Sequence, residues 1–302
     1  MGKADRIRQR NARERIAAQQ AAARRTENRR RAFIAFGSVL GVVAIVVGLI
    51  VAKNLSKGTP AAAAAAISAA TVQKDITSVP AATLNAVGRG TTSPLTKTQG
   101  TQPVLTSADG KPLVLYMGAQ YCPYCAAERW ALTVALSRFG TFSTLHFIHS
   151  SSTDVYPSTP TLTYYGSTYT SQYLDFQSVE MQSNKQIAQN VYATLQKPTA
   201  TQSALISKWD APPYVPPTDK GAFPFVDFGN QYLVLGAQFL PSDLAKLSWS
   251  QVAAAIKNPS TTVAKDVGGA ANSITAAICK ITKNAPAAVC SSYAALAGEG
   301  SL

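Results

Sequence analysis

The chain has 302 residues, enough for one or two domains with a substantial buried core. Its apolar content of 46% is that of a globular protein and excludes both bulk disorder and a multi-span membrane protein. The formal charge of +13 is uneven: residues 1–32 hold eleven Lys/Arg against Asp5, Glu14 and Glu27, a net of +8, which leaves +5 for the other 270 residues.

The basic tail runs into residues 33–52, FIAFGSVLGVVAIVVGLIVA, twenty residues without charge. That is about the length needed to cross a bilayer core of roughly 30 Å. The Arg-dense side is expected in the cytoplasm and everything after residue 52 outside the cell. Arg30-Arg31-Ala32-Phe33-Ile34 also resembles a twin-arginine export signal, with the alanines at 61–66 as a cleavage site. The apolar stretch is longer than a typical signal core, which favours a permanent single-pass anchor. The tail's expected partner is the membrane lipid headgroups; nucleic acid is not expected, since no fold or interleaved aromatics support it.

Residues 53–73 read as an Ala-rich linker, residues 74–293 as a folded domain and residues 294–302 as a short tail. A short helix is expected from Val79-Pro80 to Val87-Gly88. Strands are expected at Gln102–Thr106 and Leu113–Met117, joined by the turn Ser107-Ala108-Asp109-Gly110. The second run, PLVLYMGA, is continuously apolar, as for a strand covered on both faces. It leads into QYCPYC and the helical stretch AAERWALTVALSRFG, where Trp130, Val134 and Leu136 mark the apolar face and Glu128 and Arg129 the solvated one. A further strand, Leu145–Ile148, completes a β-α-β reading.

Residues 150–222 read as an insertion. Its first half carries strand-like TLTYY and YLDFQSV, with Tyr156, Tyr164, Tyr165, Tyr169 and Tyr173 either packing or lining a substrate groove. Ile187, Val191 and Leu195 at i, i+4, i+8 predict a helix near 183–196, and a second helix is predicted over 200–209. Strands follow at 223–228 and 232–235 around a Gly229-Asn230 turn. Two helices close the domain, one beginning at Ser242 or Ser248 and one over 261–282.

The four cysteines all follow the apolar segment, in two close pairs, Cys122/Cys125 and Cys279/Cys290. An even count outside the cytoplasm suits disulfides, and four cysteines allow three pairings; local spacing favours 122–125 and 279–290. Cys279/Cys290 reads as structural. Cys-X-X-Cys at a helix start places the first sulfur near free N–H groups and the positive end of the helix dipole, favouring thiolate. Cys122 is then the expected nucleophile and Cys125 the resolving thiol, with Pro123 suited to the first helical turn. His146 and His149, the only histidines, point to opposite faces of a strand at i and i+3, so no metal site is expected.

LVLYMGAQYCPYC resembles the first core strand and active-site turn of the thioredoxin superfamily, with the Pro123-Tyr124 dipeptide familiar from glutaredoxins. FPFVDFGNQYLVLG is similar to the strand that carries that superfamily's cis-proline, which would be Pro224 with Phe223 before it. Residues 74–293 also resemble a prokaryotic thioredoxin-like family, the domain-of-unknown-function 929 family, through ITSVPAATLNAVG, GAQYCPYCAAERWAL, the STPTLTYYG region and SITAAICK. The resemblance implies an α/β, thioredoxin-like fold with a large insertion of helices and strands, preceded by one transmembrane helix. It implies Cys122, Cys125 and Pro224 as the site, with Tyr121, Pro123, Tyr124 and Phe223 as neighbours and no cofactor. The expected function is an extracytoplasmic thiol–disulfide oxidoreductase acting on protein thiols and disulfides, with room for a membrane redox partner. The alternatives are a non-enzymatic thioredoxin-like scaffold or a copper- or zinc-handling protein. Two departures stand out: Tyr121 replaces the tryptophan usual before the first cysteine, and the preceding strand lacks the buried aspartate that moves protons in thioredoxins.

Overall fold

The computed structural model of the chain describes residues 68–302. The basic tail, the expected membrane helix at 33–52 and most of the linker lie outside the described residues. No described helix is long and apolar enough to cross a membrane.

Helix α1 (Ala69–Thr77) begins within the stretch read as linker. Ser68 caps it by accepting the Thr71 N–H at 3.2 Å, and Val72 and Ile76 bury its inner side. Helix α2 (Ala81–Val87) follows, ended by Gly88 at φ 60°. Strands β1 (Thr96–Lys97) and β2 (Leu113–Gly118) lead to helix α3 (Pro123–Leu136). Then come β3 (Thr141–Phe142), β4 (His146–His149), β5 (Pro160–Thr163), β6 (Tyr169–Thr170), β7 (Asp175–Glu180), β8 (Gln182–Ala188) and β9 (Val191–Thr194). Helix α4 (Ala200–Trp209), strands β10 (Phe225–Phe228) and β11 (Tyr232–Leu235), and helix α5 (Trp249–Ile256) continue the chain. A π-helical turn at Ala264–Gly268 opens into α6 (Gly269–Ile281), and short helices α7 (Ala287–Cys290) and α8 (Tyr293–Glu299) finish it. Ala294 and Ala295 of α8 are buried, so the stretch read as a tail belongs to the core.

The architecture is mixed α/β around a five-stranded mixed sheet in the order β1-β11-β10-β2-β7. Only β2 and β7 run parallel. Every residue of β2 is buried, which accounts for its unbroken apolar run. Val114, Tyr116, Val226 and Phe228 face the main core with Trp130 and Ile274. Leu115, Met117, Phe225 and Leu233 face a smaller core closed by Trp209 of α4.

Several expectations are corrected. Gln102–Thr106 forms no strand; the Ser107–Gly110 turn is held by one bridge between Thr106 and Pro112. Leu145–Ile148 does not close the β-α-β unit, because β4 pairs with β5 in a separate two-stranded sheet. The parallel neighbour of β2 is β7, so the span 150–222, read as an insertion, supplies an edge strand of the central sheet. The helix expected near 183–196 is the hairpin β8–β9, turning at Asn190 with φ 57°. Ile187 and Val191 sit on its open side at 62% and 47% exposure, so their helical spacing reflects two arms of a hairpin and not one buried face.

Candidate functional site

Cys122 is the N-cap of α3. Its extended backbone turns the chain out of the β2 strand end, and Pro123 takes the first helical position, where no amide partner is lost. The sulfur of Cys122 accepts the Cys125 N–H at 3.2 Å and lies 3.9 Å from the Phe223 carbonyl. The Phe223–Pro224 peptide is cis, and the Pro224 carbonyl accepts the Gly236 N–H at 2.9 Å. Residues 101 apart along the chain thus meet at one point: the start of α3 against the lead into β10.

Both thiols are free, and their surroundings differ. Cys122 retains 7% exposure and Cys125 none. The Cys122 thiol is held below its ordinary range, chiefly by the Cys125 thiol beside it and then, against the cost of burial, by the Cys125 amide and the Arg129 charge. A helix N-terminus alone contributes on the order of 1 kcal/mol, under one pKa unit, so the neighbouring donors matter. Cys125 moves the other way: burial, then the adjacent sulfur, push its thiol well above the usual cysteine value. The pair can therefore hold one thiolate and one thiol.

Tyrosines frame the opening. Tyr121 stacks on Tyr192 of β9 with ring centres 4.1 Å apart, and Tyr124 meets Tyr156 edge-on at 5.7 Å. The hairpin is anchored here because Gln120 N–H donates to the Gln182 carbonyl at 2.8 Å. The Tyr192 hydroxyl donates to Ser151 at 2.6 Å, and the Ser151 N–H donates to the Tyr121 carbonyl at 2.8 Å. Of the tyrosines singled out in sequence, Tyr156 stands at the cysteines. Tyr164 and Tyr169 instead line a cleft of about 400 Å³ along β7, which none of the cysteine-site residues borders. Tyr165 is exposed and Tyr173 packs against the core.

The solvated face expected for Glu128 and Arg129 is corrected: both are fully buried. Helix α3 is covered on all sides apart from Tyr124, so its two charges are enclosed with it. Arg129 stands one turn beyond Cys125 and points to the sheet. Its guanidinium meets Glu180 at 2.9 Å and donates to the Ala119 carbonyl at 2.6 Å and the Tyr116 hydroxyl at 3.0 Å. Glu180 also accepts from Thr163 at 3.2 Å. Burying an ion costs several kcal/mol, and such a pair persists only when its remaining donors and acceptors are matched, as they are here. Glu128 accepts the Gln238 N–H at 3.1 Å with its other oxygen unpartnered, and burial raises its carboxyl to about 7.

Sequence reasoning singled out neither Tyr116, Gly118 nor Glu180. In parallel register Gly118 stands beside Glu180, and Tyr116 two residues back shares that face. A Cβ on Gly118 would collide with the Tyr116 hydroxyl and lie 3.1 Å from the Cys125 sulfur. The one available signal was the Glu-Arg pair interrupting an otherwise apolar helix. Cys279 and Cys290 are disulfide-bonded, eleven residues apart, tying α6 to α7. The His149 and Trp249 rings meet at a tilt with centres 4.7 Å apart, and among the described residues no group of three His, Cys, Asp or Glu could hold a metal.

The family described as Domain of unknown function (DUF929) matches residues 101–280, more than half of the chain and including the cysteine pair, Arg129, Glu180 and Pro224. Comparison with curated proteins and with solved structures produced no match. The chain belongs to the DUF929 family.

Proposed function

We propose that this member of the DUF929 family is an extracytoplasmic thiol–disulfide oxidoreductase that acts on protein disulfides through Cys122, on a thioredoxin-like domain. The observation that carries the reading is the asymmetry of the two thiols: Cys122 at the helix start favours thiolate, and buried Cys125 favours thiol. The thiolate of Cys122 attacks a substrate disulfide, and one substrate sulfur leaves with the electron pair. Cys125 then attacks the Cys122 sulfur, the second substrate sulfur leaves, and a Cys122–Cys125 bond forms. Two electrons pass to the substrate, and no cofactor is needed. Run backwards, the same steps deliver a disulfide to a dithiol, and the direction follows from the reduction potentials of the partners.

The cis peptide before Pro224, set against Cys122, supports the thioredoxin-like reading, as does the antiparallel hairpin β10–β11 beside β2. The uncharged run at 33–52 behind an Arg-rich tail supports a single-pass anchor with the domain outside. The test is Cys125→Ala in the full chain, in membranes. Mixed disulfides should accumulate on Cys122 and vanish when Cys122→Ala is added. The reading fails if no adduct is trapped and the wild type neither reduces nor oxidises a model disulfide.

A further inference from the structure

A thiol that is fully buried must still become a nucleophile if Cys125 is to resolve a mixed disulfide, and the proposed reaction leaves open what receives its growing negative charge. Glu128, the nearest acid on α3, turns instead to the Gln238 N–H at 3.1 Å. The Ala119 carbonyl, an acceptor, is already engaged by Arg129 at 2.6 Å. One donor remains. The Tyr116 hydroxyl and the Cys125 sulfur flank the same bare Gly118, close enough that a single Cβ there would touch both. That hydroxyl accepts the Arg129 Nε–H at 3.0 Å, so its own hydrogen points elsewhere, and it donates to no group among the described residues.

We infer that Tyr116 is the side-chain hydrogen-bond donor that stabilises the Cys125 thiolate in the resolving step, with Arg129 and Glu180 as positioning residues; this rests on the oxidoreductase reading above. Arg129 polarises the hydroxyl, and Glu180, at 2.9 Å, keeps the guanidinium from swinging toward the sulfurs. Burial holds the Tyr116 phenol well above its usual value, so it keeps the proton it would donate to the sulfur. The groups facing Cys125 are Cys122 and Arg129 of α3, Tyr116 of β2, Glu180 of β7 behind the guanidinium, and Tyr121 in the turn. In the step itself Cys125 gives up its proton to water and its sulfur bonds to Cys122. The Cys122–substrate bond breaks, and the departing substrate sulfur keeps the electron pair and takes up a proton. The absence of Cβ at Gly118 is what lets phenol and sulfur approach.

The test uses reduced full-length protein in detergent with one equivalent of an aromatic disulfide whose released thiol is coloured. A first phase reports attack by Cys122, and a second reports attack by Cys125. Tyr116→Phe is expected to leave the first phase unchanged and slow the second by about tenfold, with its pH profile displaced upward. Arg129→Lys retains the cation but loses the Nε donor, and is expected to slow the second phase alone; it stands in if Tyr116→Phe does not fold by circular dichroism. A merely structural role would lower the melting temperature and leave the ratio of the phases unchanged, which overturns the inference. Absence of a first phase in the wild type overturns the oxidoreductase reading itself, and this inference with it.

Discussion

Arg129 and Glu180 are paired at 2.9 Å with neither side chain exposed, directly behind the two cysteines. One comes from the helix that starts at Cys122, the other from the sheet strand parallel to β2. The pair therefore joins the two elements whose relative position sets the cysteine turn.

Removing one partner strands the other. Arg129→Met or Glu180→Met alone should each cost about 3–5 kcal/mol, while the double replacement should cost clearly less than their sum. Urea unfolding of the four proteins checks it; additive losses would mean the ion pair is not the coupling between α3 and β7.

Glu128 predicts a pH dependence of stability. Its folded carboxyl titrates at about 7, above the ordinary value of 4.5. A carboxyl raised in the folded state holds its proton there while the unfolded chain has lost it. Its stabilising contribution is thus fully present below about 4.5 and declines as pH rises toward 7. Glu128→Gln should remove this slope and become more stable relative to wild type by on the order of 3 kcal/mol between pH 5 and pH 8. Parallel denaturation curves for the two proteins across that range would contradict it.

Gly118→Ala should destabilise the domain by about 1–3 kcal/mol, because the added Cβ meets a ring hydroxyl and a sulfur inside a packed core. The variant's thiol reactivity should also change, since Tyr116 and Cys125 must both shift. A variant with unchanged midpoint and unchanged reactivity would show that the close approach is relieved without cost.

The Cys279–Cys290 bridge closes a short loop and should contribute about 3 kcal/mol. Replacing both with Ala should lower the melting temperature while leaving the rate of Cys122 alkylation unchanged, as the bridge ties α6 to α7 and not to α3. Loss of Cys122 reactivity in that variant would assign the bridge a part in the site.

Local chemistry was legible before any fold was known. Pro123 after Cys122 marked a helix start, Gly229-Asn230 between apolar runs marked a hairpin, and both residues adopt φ of 61°. Ser248 with Gln251 three residues on caps α5 as that pattern suggests. Where spacing misled, two readings fitted the same residues: Ile187 and Val191 suit one helical face or the two sides of a tight turn equally well. Asn190 and the stacking of Tyr192 on Tyr121 selected the turn.

By itself the sequence determined that two thiols stand one turn apart at a helix start, that β2 is buried on both faces, and that an uncharged run long enough for a membrane precedes the domain. These follow from dipeptides, runs and periods, which act over a few residues. Only the tertiary structure decided that β7 and not β4 is the parallel neighbour of β2. It likewise buried Glu128 and Arg129 and set Tyr116, Gly118 and Glu180 around Cys125. The physical reason is that a charge on a helix looks the same in sequence whether water or a partner strand lies opposite. The partner, Glu180, is 51 residues away along the chain.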